Sequence, residues 1–230
     1  MKTDPVSVVI PLFNRPDCIA EAIESVRAQT YPAIEIIVVD DGSTDGGPAL
    51  VEAFAGEDPS IHQLRQVNAG PSAARNRGLA AARSRLVTFL DSDDLMLPGR
   101  VERQVRHLAE NPEADVVIGI ERIELLPGVT APRWLRELPP ADEHPRYFLM
   151  SMLLDRRHIE AVGGFDESLR VGEDVDLAVR LRAAGARIAT VDEVLTVRRI
   201  RGDNLIYRED EVERSLPAAL ARHIAGRQAT

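Results

Sequence analysis

One cysteine, Cys18, in a chain of 230 residues leaves no internal disulfide to form and no cysteine cage for a metal. It falls in a helix-like stretch, where a free thiol most often serves packing. Positive charge is also short: 28 Lys and Arg against 37 Asp and Glu give a net charge of −9. A nucleic-acid partner needs a basic face, so that class of function is set aside. Lys2 is the only lysine, and arginine carries the remaining positive charge in planar forks suited to carboxylates and phosphates. No apolar run approaches the roughly 20 residues of a membrane span, and the N-terminus lacks the pattern of a secretory signal. A cytoplasmic protein, at most peripheral to a membrane, is the expectation.

What remains is ordinary globular material, 44% hydrophobic and 28% charged, enough for one large domain with a real core. Val6–Ile10 is a short β-branched run closed by Pro11, which predicts a buried strand. Ile19, Ala22, Ile23 and Val26 recur at helical spacing. Ile34–Val39 predicts a second strand, closed by Asp40-Asp41-Gly42-Ser43, and a helix through Ala49–Ala55 follows. Ile61–Val67 is a weaker third strand. Pro71 suits the first turn of a helix over Ala73–Ser84. Then come a strand over Leu86–Leu90, a helix over Pro98–Glu110 and a strand over Val116–Ile120. Strands alternating with helices in this way call for a parallel, doubly wound α/β sheet. The second half changes character. Leu126–Tyr147 is rich in proline without a sustained period and predicts a long loop. A helix over Glu173–Ala184 ends at Gly185, two short strands cover Arg187–Val191 and Val194–Arg199, and Glu209–Ala225 closes the sequence as a helix.

The most informative stretch is Leu86–Asp94, LVTFLDSDD. In open α/β sheets ligands bind at the carboxyl ends of the strands, where Asp91 and Asp93 would sit. Side chains two apart in extended chain point the same way. Oxygen ligands suit a hard cation, Mg²⁺ or Mn²⁺, usually shared with phosphate. A pattern this short also arises by chance about once in a chain of this length, and Asp174 and Asp176 repeat it. Asp and Ser populate turns and helix caps as well, and Asp94 before Leu95-Met96-Leu97-Pro98 reads as a cap. Asp40-Asp41 ends another strand on the same edge. Asp174 starts a predicted helix, where the dipole favours an acid; catalytic and structural roles are equally open there.

VSVVIPLFNR, QTYPAIEIIVVDDGSTD, NAGPSAARNRGL, LVTFLDSDD, GGFDESLRVGEDVDLAVRL and RRIRGDNL occur in that order. The set resembles the family 2 glycosyltransferases of the GT-A fold, over roughly residues 6–120 and 150–206. The resemblance implies one GT-A domain over residues 1–230, with a Rossmann-like, mostly parallel sheet flanked by helices. Its nucleotide-sugar half would cover 1–120, a smaller acceptor and catalytic half 121–206, and a helical tail 207–230. It implies that Pro11 and Phe13 line a base pocket, Phe13 by stacking, and that Asp41 accepts a hydrogen bond from the base. Arg75 would approach the diphosphate or base, Asp91 the ribose, and Asp93 would bind a divalent cation, Mn²⁺ or Mg²⁺. Asp174 would be the catalytic base of a single, inverting displacement from a nucleotide-diphospho-sugar, a UDP-sugar foremost.

One departure stands out. The family commonly carries a histidine metal ligand near the place where this chain has Arg201. Arginine cannot ligate a cation but can grip a diphosphate, so Arg201 joins the expected donor-binding residues. The chain has neither transmembrane helices after this stretch nor the Q-x-x-R-W segment of processive members, so one sugar per encounter is expected. Trp134, His144 and Tyr147 mark the long loop as the candidate acceptor site, the acceptor itself being unknown, and the terminal helix could carry a homodimer contact. Two alternatives are kept: an impaired member that holds nucleotide without turnover, and a sugar nucleotidyltransferase, whose Gly-rich phosphate loop Pro11-Leu12-Phe13-Asn14 does not supply.

Overall fold

The apolar run at the start of the chain becomes the middle of the sheet. In the computed structural model, which describes residues 4–137 and 149–202, strand β1 (Val6–Leu12) is buried at every position but Pro11. Strands β2 (Ile34–Asp40), β3 (Ile61–Arg65) and β4 (Leu86–Phe89) follow, joined by helices α1 (Ile19–Arg27), α2 (Gly47–Glu57) and α3 (Pro71–Ala81). The second half adds β5 (Leu95–Met96), α4 (Arg100–Glu110), β6 (Val116–Leu125), α5 (Arg133–Glu137), β7 (Leu153–Asp155), α6 (Arg156–Ala161), α7 (Glu173–Ala183) and β8 (Ile188–Ile200).

Successive side chains of a strand point to opposite faces, and β1 uses both. Val6, Val8, Ile10 and Leu12 pack with Ile23 of α1, Val51 of α2 and Val101 of α4. Val9 packs on the other face with Leu79 of α3, Ile159 of α6 and Leu177 and Leu181 of α7. The result is a sheet between two helical layers.

All eight strands join one sheet in the order β3-β2-β1-β4-β7-β6-β8-β5. β1 is parallel to β2, with Leu12 opposite Asp40, and to β4, with Val9 opposite Phe89. The chain runs outward to β3 and then crosses back to β4. The order therefore reverses between β1 and β4, and the crevice at their carboxyl ends is where such sheets bind ligands. β7 enters antiparallel between β4 and β6, and β8 runs parallel to β6.

Several sequence expectations are redrawn. The two short strands predicted over Arg187–Val191 and Val194–Arg199 are one strand, β8, whose register shifts opposite Gly119–Glu121. A bulge of this kind breaks periodicity without ending the strand. Asp94 is no helix cap: it precedes the short β5, and helix α4 begins at Arg100 behind Gly99 in the left-handed region. The predicted long loop contains α5. His144, Tyr147 and the predicted terminal helix over Glu209–Ala225 lie outside the described residues.

Helix α3 lies so close to the sheet that a Cβ on Gly78 would come within 2.3 Å of Val9 Cγ1 and 3.3 Å of Val39 Cγ2. Both neighbours are stiff β-branched side chains. Gly78→Ala is therefore expected to cost about 1–3 kcal/mol by overpacking, a fall in Tm of roughly 2–12 °C for a chain of this size. Thermal unfolding checks this; an unchanged Tm would mean that α3 does not rest on β1 as described.

Candidate active site

The crevice begins at the ends of β1 and β2. Phe13, just past β1, is 47% exposed, and Pro11 is half-buried. Asn14 adopts φ +50. It ties the two loops together: its N–H donates to Ser43 Oγ (3.1 Å), and its Oδ1 accepts from the Thr44 N–H (2.9 Å).

The paired acids divide their duties. Asp40 is fully buried, accepts from the Ser43 N–H (2.8 Å) and lies 3.1 Å from Arg65. That is turn chemistry. Asp41 accepts from Gln66 Nε2, the Ala69 N–H and the Gly70 N–H, each at 2.8 Å. It thereby fixes the loop that leads into α3. Its two oxygens offer about four acceptor sites, so one remains for a ligand.

Helix α3 then delivers two adjacent side chains to different tasks. Asn76 clamps the turn before α7, accepting from the Phe165 N–H (2.8 Å) and donating to the Phe165 carbonyl (2.9 Å). Arg75 is buried over the Phe165 ring, 5.6 Å from its centroid. Its two terminal nitrogens reach Asp91 (2.5 Å) and Glu173 (2.7 Å). Burial works against its charge, but the two carboxylates outweigh that and raise its pKa. The fork links the strand end after β4 to the first turn of α7. Arg77, two residues on, is exposed.

Each aspartate after β4 has its own environment. Asp91 takes the Arg75 fork. Asp93 lies 3.5 Å from Arg15 Nε; burial and the neighbouring Asp91 push its carboxyl above the usual range, while Arg15 and Arg201 pull the other way. Asp94 is buried and accepts from the Arg199 N–H (2.9 Å), so it anchors β8. Burial, then Asp93 and Asp91, push its pKa well up. Arg199 also donates to the Asp93 carbonyl and pairs with Glu21. Arg201 pairs with Asp17 and donates to Cys18 Sγ (2.7 Å). Its charge still reaches Asp93, so it borders the site beside α1.

At the start of α7, three acids play three parts. Glu173 holds Arg75. Asp176 pairs with Arg180 (2.6 Å), whose Nη1 donates to the carbonyls of Val162 and Gly164. Asp174, half-buried, accepts only its neighbour's Val175 N–H (2.8 Å) among the described hydrogen bonds. Of the three, it has the side chain with most capacity left for a ligand.

Besides Arg15, two charged residues on β6 and β8 that the sequence reading passed over belong here. Arg198 on β8 lies within electrostatic reach of Glu121, Asp94, Asp91 and Asp174; these outweigh the burial that would lower its pKa. Glu121 on β6 is 3% exposed, and burial above all raises its pKa to about 7. The signal was present: Val116–Ile120 is an apolar run ending in an acid, the same pattern as Leu86–Asp91. A separate cavity of about 390 Å³, lined by Leu86, Asp115 and Asp155 among others, lies at the opposite, amino-terminal edge of β4 and β6.

Comparison with known proteins bears on this geometry. Residues 7–164 match the family model described as Glycosyl transferase family 2. The chain is similar to the succinoglycan biosynthesis protein ExoO of Rhizobium meliloti, 31% identical over 94% of this chain and 67% of that protein. It is also similar to the glycosyltransferase GlyG of Streptococcus pneumoniae, 40% identical over 50% of this chain and 38% of that protein. Among solved structures, the mannosyltransferase PcManGT from Pyrobaculum calidifontis, in complex with GDP-Man and Mn²⁺, superposes with a TM-score of 0.75 at 23% identity. That match covers 98% of this chain and 65% of the other. S. aureus TarS 1–349 in complex with UDP gives 0.69 at 22% identity, over 85% of this chain and 60% of the other.

Proposed function

The chain belongs to glycosyl transferase family 2, and from that membership we propose an inverting, non-processive glycosyltransferase that uses a nucleotide-diphospho-sugar. The observation that carries this is the Arg75 fork between Asp91 and Glu173. It holds the acidic turn after β4, a place for the donor, in fixed relation to Asp174, a place for a base. Phe13 offers an exposed flat face to a base, and Asp41 its remaining acceptor site. Relatives in the fold hold UDP or GDP-Man, and both uridine and guanosine donors belong in the test.

The reaction asks for one displacement. The acceptor hydroxyl oxygen bonds to the anomeric carbon as that carbon's bond to the diphosphate oxygen breaks. The hydroxyl proton passes to the Asp174 carboxylate, and the electron pair leaves with the nucleoside diphosphate. In-line attack inverts the anomeric centre. Asp174 suits the proton transfer because its carboxylate is half-buried yet has acceptor capacity left.

A divalent cation fits the donor set in part. Asp93 offers a hard oxygen ligand in an acidic pocket whose carboxyls are already pushed up by burial and by one another. Among the described residues no three His, Cys, Asp or Glu side chains gather to hold an ion. Mg²⁺ and its like are commonly held by one or two carboxylates plus substrate phosphates, which is what this site would supply. When bound, the ion neutralises charge on the leaving diphosphate. Arg201 and Arg15, beside Asp93, add positive charge from the chain itself.

The test is a panel of UDP- and GDP-sugars, with and without Mn²⁺, read by thermal shift and by donor hydrolysis. At a hundredfold excess over Kd the right donor stabilises the fold by about 2.7 kcal/mol, a Tm rise of roughly 5–11 °C. Mn²⁺ is expected to be needed for that rise, and Asp93→Asn to remove the need together with the effect. Hydrolysis that continues unchanged in chelator would move the charge-neutralising role to Arg201. Release of nucleoside diphosphate above background rejects the reading of an inactive, nucleotide-holding member.

A further inference from the structure

Glu121 differs from most of the acids in the crevice. Asp41, Asp91, Asp94, Glu173 and Asp176 each accept hydrogen bonds from named donors. Glu121 is 3% exposed, and among the described residues no hydrogen bond and no close ion pair reaches its carboxyl. Among the described residues its oxygens are not in the set of sealed, partnerless atoms that includes Arg75 Nε. The charges that act on it are Arg198, Arg100, Asp91 and Asp174.

Arg100 does not complete it. That guanidinium is fully buried and its hydrogen bonds go to neutral acceptors: Gln104 Oε1 (3.2 Å), Thr196 Oγ1 (3.0 Å), Thr88 Oγ1 (2.7 Å) and the carbonyls of Phe89 and Met150. A buried carboxyl without a hydrogen bond is costly, and such a group calls for a partner beyond the described residues, a water or a ligand. With its pKa raised to about 7 by burial, the carboxyl can both donate and accept at neutral pH. A sugar hydroxyl does the same.

The geometry points to Glu121 as a specificity-determining residue that hydrogen-bonds a ring hydroxyl of the transferred sugar. Its position follows from its neighbours. Asp91 marks the donor's nucleotide end and Asp174 the place where the acceptor oxygen meets the anomeric carbon; the sugar ring lies between. The inference rests on the reading of this crevice as a sugar-transfer centre.

The experiment compares the wild-type chain with Glu121→Met, which keeps the volume and removes the hydrogen bond, and with Glu121→Gln, which restores one. Calorimetric titrations with UDP, GDP, UDP-glucose, UDP-N-acetylglucosamine and GDP-mannose, each with Mn²⁺, supply the readout. Glu121→Met is expected to weaken the bound nucleotide sugar about tenfold while UDP or GDP alone changes less than about twofold. Glu121→Gln is expected to recover most of the loss. Thermal unfolding of Glu121→Met is expected to be unchanged or higher, because an unpaired buried carboxyl has been removed.

Equal losses for nucleotide and nucleotide sugar would overturn the assignment in favour of a structural role. Unchanged nucleotide-sugar affinity would also overturn it, and with a raised acceptor KM would place Glu121 on the acceptor. A wild-type chain that binds none of the five ligands overturns the transferase reading and this assignment together. That failure is distinguishable because it appears before any substitution is made.

Discussion

Asp174→Asn is expected to lower transfer by about 10²–10⁴-fold, the usual worth of a positioned general base, while the donor affinity stays within about twofold. The amide keeps the shape of the carboxylate and can still accept from the Val175 N–H, so the first turn of α7 should survive. What it loses is the ability to take a proton. The neighbouring acids cannot stand in: Glu173 is bound to Arg75, and Asp176 to Arg180. The measurements are steady-state transfer and donor titration on the same preparation. Loss of donor affinity in parallel with turnover would make Asp174 a binding acid and remove the base from the proposed reaction.

The second large effect is on stability. Arg75→Met is expected to destabilise the fold by about 3–5 kcal/mol, since removing one partner of a buried ion pair leaves the other uncompensated. For a chain of this size the loss corresponds to a fall in Tm of roughly 6–20 °C. Arg75 is almost wholly enclosed, and its fork neutralises Asp91 and Glu173 together. Lysine is a point charge and cannot span both carboxylates, so Arg75→Lys should recover only part of the loss. Arg75→Met combined with Glu173→Gln should recover more, because the stranded charge goes too. Denaturant unfolding checks the series. A cost below about 1 kcal/mol for Arg75→Met, the range of an exposed pair, would show that the bridge is loose in solution.

These two results bear on different links of the same chain of cause. Arg75 was expected to approach the donor's diphosphate or base; the structure has its terminal nitrogens on carboxylates and its Nε buried without a partner. In the proposed enzyme it therefore positions Asp91 and Glu173. The positive charge nearest Asp93 comes from Arg15 and Arg201 instead. Neither stability nor turnover alone separates these roles, which is why both variants are needed.

Much of the fold was legible because its signals are local. The strands β1, β2 and β4 are continuous apolar runs, and their carboxyl ends carry acids and turn residues that show in the sequence. The starts of α3 and α7 were equally clear from Pro71 and from Glu173-Asp174. Where prediction failed, a long-range contact overruled a local rule. Asp94 reads as a cap from its neighbours, yet it accepts from the Arg199 N–H, 105 residues away. The gap between Val191 and Val194 reads as a break between strands, yet pairing with β6 carries β8 through it.

By itself, then, the sequence determined the strand and helix sequence of the first half, the family, and which residue types stand at the crevice. Hydrophobic periodicity and motif order are properties of the chain alone, so no folding is needed to see them. The tertiary structure decided who partners whom. Arg75 and Glu173 are 98 residues apart, and they meet because α3 and α7 pack on the same face of the sheet. Glu121 and Arg198 entered the crevice because β7 separates β4 from β6 while β8 runs alongside β6. Strand order, register and burial are collective outcomes of packing, and only they make one carboxylate an anchor and leave another with acceptor capacity to spare.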